Sequence, residues 1–172
     1  QAVIDFPNNA PIAMEYARFL QSSNNVKESM YYLERALTMP GMSLTDKGPV
    51  LLSLWDTSRR DTSMQPMVNR AWAATKELHQ EEGAYYLLEG ERLLLEKKIQ
   101  ESILTYLQAV ERGFNNIKVY TQIAEFCKQT QQDSIAKDVL KRFKTDFGHR
   151  VEILEYIVFW YYEKQWWKDC AE

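Results

Sequence analysis

Residues 83–116 read GAYYLLEGERLLLEKKIQESILTYLQAVERGFNN, and the spacing of their apolar positions decides the fold. Tyr86, Leu87, Leu93 and Leu94 recur at helical spacing, and a short charged break follows at Glu96-Lys97-Lys98. A second periodic run carries Ile103, Tyr106, Leu107 and Val110, until Gly113 and Asn115-Asn116 interrupt it. The stretch therefore predicts helix, tight turn, helix, with Gly113 as a helix stop and the asparagines as a cap for the next start. Neither helix can bury its apolar face alone, so each hairpin needs neighbours.

Those neighbours stand 34 residues away in both directions. Toward the C-terminus Gly90 is matched by Ala124, Ser102 by Ala136, Tyr106 by Leu140 and Ile123 by Ile157. A further step reaches Val151, with Leu154, Ile157, Val158 and Tyr161, then a turn at Lys164-Gln165 and the opening residues of another helix from Trp166-Trp167. Toward the N-terminus, Ala13, Tyr16, Ala17 and Leu20 form a first helix, Asn24-Asn25 a turn, and Ser29, Leu33 and Ala36 a second helix closed by Pro40-Gly41. The units are 10–43, 44–82, 83–116, 117–150 and a shortened 151–172, with 1–9 as the end of a preceding unit. The unit 44–82 is five residues too long, and the surplus is expected in the Met42–Pro49 connection or the Arg59–Pro66 turn. Both ends fall inside units, so the chain reads as a piece of a longer array with its aromatic end partly uncovered.

Composition narrows the function classes. The 172 residues are 45% hydrophobic and 26% charged, enough apolar content for a core. With 21 Lys and Arg against 24 Asp and Glu the net charge is −3, spread evenly, which argues against a nucleic-acid interface and against a steering field. No apolar run spans a bilayer. The two cysteines, Cys127 and Cys170, make no disulfide framework and no metal motif, and His79 and His149 have no second ligand at a suitable spacing. Glu77, Glu81, Glu89 and Glu91 supply carboxylates, but on a helical array such residues belong to the solvated face, and acid–base catalysis needs two groups in divergent environments. No catalytic residue, cofactor site or metal site is assigned. Cys127 and Cys170 are read as buried packing thiols rather than nucleophiles. The seven aromatics between Tyr156 and Trp167 admit two readings, core packing and ligand contact.

These residues resemble the tetratricopeptide repeat (TPR) family. Its pattern of a large residue at position 4, Leu at 7, Gly or Ala at 8, Tyr at 11, Ala at 20, a large residue at 24 and Ala at 27 is met in part by each unit. The matches are Ala13, Tyr16, Ala17, Leu20, Ser29, Leu33 and Ala36; Tyr86, Gly90, Leu93, Ser102, Tyr106 and Ala109; and Tyr120, Ile123, Ala124, Cys127, Ala136 and Leu140. The chain departs from the pattern where Ser replaces Ala at position 20 and where Phe143 stands at position 27. The resemblance implies an all-α, right-handed α-solenoid acting as a protein-interaction scaffold without catalysis. Its concave groove, lined by the first helix of each unit, would be formed by Met14, Arg18, Leu87, Glu91, Leu94, Thr121, Glu125, Lys128, Phe159 and Tyr162, and would take a protein or peptide partner. The Lys, Asn and Arg set with which chaperone-binding members clamp a terminal carboxylate is missing. Related arrays that process RNA, or the non-catalytic part of a larger enzyme, are the alternative, and self-association through the C-terminal end is a further expectation. The segment Ser43–Leu54 is similar to a connection in cell-envelope TPR lipoproteins of Gram-negative bacteria, which tilts the expected localisation toward the envelope.

Overall fold

Helix starts in this chain are written by single polar side chains. In the computed structural model, which describes residues 6–166, Asn9 accepts a hydrogen bond from the Ile12 amide (3.0 Å) and opens α1, Ala10–Ser22, with Pro11 in its first turn. Helix α2 is Val26–Thr38. Ser43 accepts from the Asp46 amide and donates to the Asp46 carboxylate (3.2 and 2.7 Å), a reciprocal cap that opens α3, Leu44–Ser58. A 3₁₀ turn at Thr62–Met64 leads into α4, Gln65–His79. There follow α5, Gly83–Leu95; α6, Ile99–Glu111; α7, Ile117–Gln129, capped by Asn116; α8, Asp133–Phe147; and α9, Val151–Glu163. The described residues are all-α, without a strand. The reading of Ala2-Val3 as the tail of a preceding unit, and of Trp167 and Cys170 as packing positions, lies outside them.

One turn occurs four times. Asn24, Lys97, Gln131 and Gln165 are the non-glycine residues with positive φ among those described, at 60°, 63°, 57° and 57°. Each follows a thirteen-residue helix, α1, α5, α7 or α9. The amide after each left-handed residue reaches back five residues: Asn25 to the Leu20 carbonyl, Lys98 to Leu93, Gln132 to Cys127 and Trp166 to Tyr161, all at 2.9–3.0 Å. The left-handed residue's own amide bonds the carbonyl three back, so the final carbonyls of each helix are satisfied and the chain turns round at once. Gly113, at φ 81°, ends α6 with the same two bonds, from Gly113 to Val110 and from Phe114 to Ala109. The spacing 97, 131, 165 is 34 residues, and 24 to 97 is the same step plus the 39-residue interval.

After the turn, α2 packs on α1, α6 on α5 and α8 on α7. The approach is close because small residues face each other. Ser29 donates to the Ala17 carbonyl (2.8 Å) and Ser102 to the Gly90 carbonyl (3.0 Å), both hydrogen bonds buried. A Cβ on Gly90 would sit 2.5 Å from the Tyr106 ring, so only glycine fits there. Ala124 and Ala136 fill the same places on α7 and α8, both fully buried. Serine thus supplies the small volume of alanine plus one hydrogen bond to a carbonyl already engaged in its helix.

Helices α3 and α4 depart from this pattern. Helices α3 and α4 each run fifteen residues, against thirteen in α1, α5 and α7, and residues 59–64 with their 3₁₀ turn join them, so the surplus does not sit in a Met42–Pro49 connection. Residues from Leu44 are already helical, and Pro49 sits inside α3 with an exposed side, as does Thr45, whose carbonyl its missing amide would have met. The longer excursion is held by stacking. The Arg92 guanidinium lies 4.6 Å from the Trp55 ring centre and 5.5 Å from that of Trp72, while its arms bind Glu89 and Glu96. Trp72 donates to Glu89 (2.7 Å), and Arg59 donates to the Leu95 carbonyl.

Lys47 is the other anomaly. It occupies the fourth position of α3, where α1 has buried Ala13 and α7 buried Tyr120, and it is fully buried with no hydrogen-bond partner for Nζ. Burial pushes its pKa below the usual lysine value, with the Glu82 carboxylate opposing the shift.

Two predictions follow from the packing. Gly90→Ala should cost about 1–3 kcal/mol in urea unfolding, and Gly90→Ala combined with Tyr106→Leu should cost less than the two changes summed, because the clash partner is gone. Lys47→Met should stabilise the fold by about 1–3 kcal/mol at pH 7 by removing an unpaired buried amine. The unfolded chain keeps the Lys47 proton to a higher pH than the folded chain, so this penalty shrinks as pH rises through the lowered folded value toward 10.5. The stability gap between Lys47→Met and the parent chain should therefore narrow between pH 7 and 10.

Candidate partner-binding cleft

The faces of α1, α2 and α3 do not close on one another. Between them lies a cleft of about 340 Å³. Its floor is apolar, from Met14, Ala17, Leu33, Pro49, Val50 and Leu54, and its rim carries Arg18, Gln21 and Ser53. The gap exists because α1 ends its polar-facing row in Arg18 and Gln21, while Pro49, Val50 and Leu54 offer α3's half-exposed side instead of long core residues. Arg18 is exposed and paired with Glu15 at 2.5 Å. The volume and the mix of an apolar floor with a few polar groups suit one or two side chains of a bound segment.

Two of the sequence-derived groove residues, Met14 and Arg18, meet at this cleft. Met14 is buried in the core and contributes floor rather than an exposed contact. Leu87 and Glu91 line a separate, smaller recess of about 80 Å³ with Phe114, Asn116, Lys118, Val119 and Gln122. There Gln122 donates to the Tyr106 hydroxyl (3.1 Å), whose pKa is raised by burial and by the Glu91 carboxylate. Leu94 is half-buried against the core of the second half. Thr121 turns its hydroxyl onto the Lys118 carbonyl (3.0 Å). Glu125 accepts from the Tyr156 hydroxyl (3.2 Å), and burial, with Glu125, pushes Tyr156 up to about 12. Lys128 is pinned to Glu163 at 2.6 and 2.7 Å and stands 5.7 Å from the Trp160 ring centre. Phe159 and Tyr162 are exposed. Of the ten residues, Met14 and Arg18 thus share the cleft, and Leu87 and Glu91 share the recess.

Leu33, Pro49, Val50, Ser53 and Leu54 were missed by sequence reading. The reciprocal Ser43/Asp46 cap, three residues apart, is the signal that would have placed α3 from Leu44 and so turned these residues toward α1.

The aromatic C-terminal stretch divides between core and surface. Trp160 and Tyr161 are buried, and Tyr156 stands 6.1 Å from Phe143, edge to face. Phe143 itself stacks on Tyr120 at 4.9 Å, and the Tyr120 hydroxyl donates to Asp146. Cys127 is fully buried, and burial lifts its thiol to about 11. His79 contacts Glu82 at 2.6 Å through Nδ1, while its Nε2 is buried without a partner. Among the described residues, no group of three or more His, Cys, Asp or Glu side chains stands ready for a metal, and no helix is long and apolar enough to cross a membrane.

Compared with known proteins, the chain matches no family model, no curated protein and no solved structure.

The burial of Cys127 gives a direct test of core integrity. In a Cys170→Ser background, labelling of Cys127 by a thiol reagent at pH 8 should be at least 100-fold slower than in urea-unfolded chain. Its rate should rise with sub-denaturing urea, since the thiol reacts only after opening.

Proposed function

We propose that the chain is a right-handed α-solenoid of TPR-type hairpins and a non-enzymatic interaction module that holds a partner polypeptide along its first helices. The recurrence of one left-handed turn at residues 24, 97, 131 and 165 supports the repeat architecture, since a stack of equivalent hairpins needs an equivalent turn in each. The observation that carries the function is the open cleft between α1, α2 and α3, with an apolar floor and Arg18 at its rim. A bound segment would anchor one apolar side chain on Leu33, Val50 and Leu54 and lay its backbone across Arg18, Gln21 and Ser53.

A peptide-display selection against the parent chain tests this. Selected peptides should lose at least tenfold in affinity against Val50→Asp and against Arg18→Glu, while both variants keep the parent's circular dichroism and melting curve. Peptides that bind both variants as tightly as the parent would overturn the reading. A chain that turns over a substrate with no peptide selected would do so equally.

A further inference from the structure

The recess between α5 and α7 carries a charge that the fold leaves without a counter-ion. Three carboxylates stand along the second half of α5 and its cap, at Glu89, Glu91 and Glu96. Arg92 binds both Glu89 and Glu96, and Trp72 donates to Glu89 as well (2.7 Å). Glu91 lines the recess, is half-buried, and makes no ion pair with any described residue. A half-buried carboxylate loses hydration, and a cation brought to it restores what burial removed.

A buried hydroxyl orients the polar groups of the recess. Tyr106 is fully buried, Gln122 donates to its oxygen at 3.1 Å, and the Glu91 carboxylate faces the same oxygen. A carboxylate can only accept, so the Tyr106 proton serves Glu91 while the Gln122 nitrogen serves Tyr106. Two acceptors are left for a bound group, the remaining lone pairs of Glu91 and the Gln122 carbonyl oxygen. Leu87, Phe114 and Val119 supply an apolar wall against which a hydrocarbon stem or a flat guanidinium can lie. The volume, about 80 Å³, is room for one such head and not for a helix. Every group that forms the site belongs to α5, α6, α7 or the link between the last two, so it is complete within the described residues.

Two further charges bear on its sign. Glu125 is the ninth residue of α7, as Glu91 is of α5, and repeats a carboxylate on the next first helix. Lys128, one turn beyond Glu125, is held by Glu163. Lys118 lines the recess from α7, exposed and without an ion pair to any described residue. It opposes a second cation and would favour an anion, which makes it the residue that discriminates between them.

We propose that this recess binds the head of a lysine or arginine side chain on the partner polypeptide, with Glu91 as counter-ion and Gln122 as second acceptor, an assignment that rests on the first helices being the partner-bearing surface.

The probe is a fluorescein-labelled hexapeptide of alternating arginine and serine, with a glutamate–serine hexapeptide as control, read by fluorescence anisotropy on the full chain. The arginine peptide should bind, and the glutamate peptide at least tenfold more weakly. Glu91→Gln keeps an acceptor for Tyr106 and should weaken the arginine peptide about fivefold or more with an unchanged melting curve. Glu77→Gln removes an exposed carboxylate from α4 and should leave its affinity within about twofold. Lys118→Gln should tighten it. Absent binding of the arginine peptide, or equal losses from Glu91→Gln and Glu77→Gln, would overturn the proposal. Weaker binding of the arginine peptide to Lys118→Gln, or tighter binding of the glutamate peptide to the parent, would make the recess an anion site and overturn it too. Peptides selected at the α1–α3 cleft that lose affinity on Val50→Asp, beside an arginine peptide indifferent to Glu91→Gln, would overturn the recess alone and leave the cleft standing.

Discussion

A residue held at φ near +60° at the end of a thirteen-residue helix fixes the geometry from which the rest follows. A left-handed non-glycine residue costs about 1 kcal/mol, and this chain accepts that cost at Asn24, Lys97, Gln131 and Gln165. What offsets it is the pair of hydrogen bonds that closes each helix, together with the immediate reversal that lays the next helix on the one just finished. Because the reversal takes so few residues, the opening turn of the second helix comes to short range of the first, as Ser29 reaches the Ala17 carbonyl and Ser102 that of Gly90. That approach admits only small side chains, hence Ala17 with Ser29, Gly90 with Ser102 and Ala124 with Ala136. The turn and the small residues are one constraint seen at two points of the same hairpin. A larger residue at the crossing would lever the turn open, and a slacker turn would leave the small residues facing a void.

The pair α3 and α4 shows what happens when the constraint is relaxed. With no left-handed residue after Ser58, the chain extends α3 and inserts a 3₁₀ turn before α4 begins. The helices are then held by large groups instead of small ones, with Arg92 between Trp55 and Trp72 and clamped by Glu89 and Glu96. An arginine between two indoles fills volume while keeping its donors engaged, which a lysine would not do.

Much of this was written in the sequence. Gly113 and the charged break at Glu96-Lys97-Lys98 mark the ends of α6 and α5, and the exchange of Gly90 for Ala124 signals the close crossing, because such positions have few physical solutions. The burial of Lys47 was not legible, since a charged residue in an apolar pattern reads as a surface position. Pro49 hid the start of α3 for a related reason. Proline suggests a connection, and its tolerance here depends on lying at an exposed edge, which only the tertiary arrangement reveals. For the candidate groove, sequence positions assign a residue to a face, but whether that face is free depends on partners from other helices. Lys128 is consumed by Glu163, Glu125 by Tyr156 and Met14 by the core, and none of those pairings follows from spacing within one helix.

The cleft and the recess differ in what they can hold. The cleft at α1–α3 is recessed, its apolar atoms lie below a polar rim, and its 340 Å³ matches individual side chains more than a whole element. A chain crossing it must be extended enough to drop one residue in while its backbone stays at the level of Arg18 and Gln21. On α9 the side chains of Val151, Val158, Phe159 and Tyr162 are exposed. Burial of such side chains is non-directional and selects no charge in what covers them. The recess between α5 and α7 is too small to select by shape beyond a single side-chain head, at about 80 Å³. Its half-buried carboxylate, Glu91, selects by sign instead, because a cation there gains a partner and a second anion meets repulsion. Shape thus selects at the cleft and charge at the recess, before any further sequence in the partner is specified.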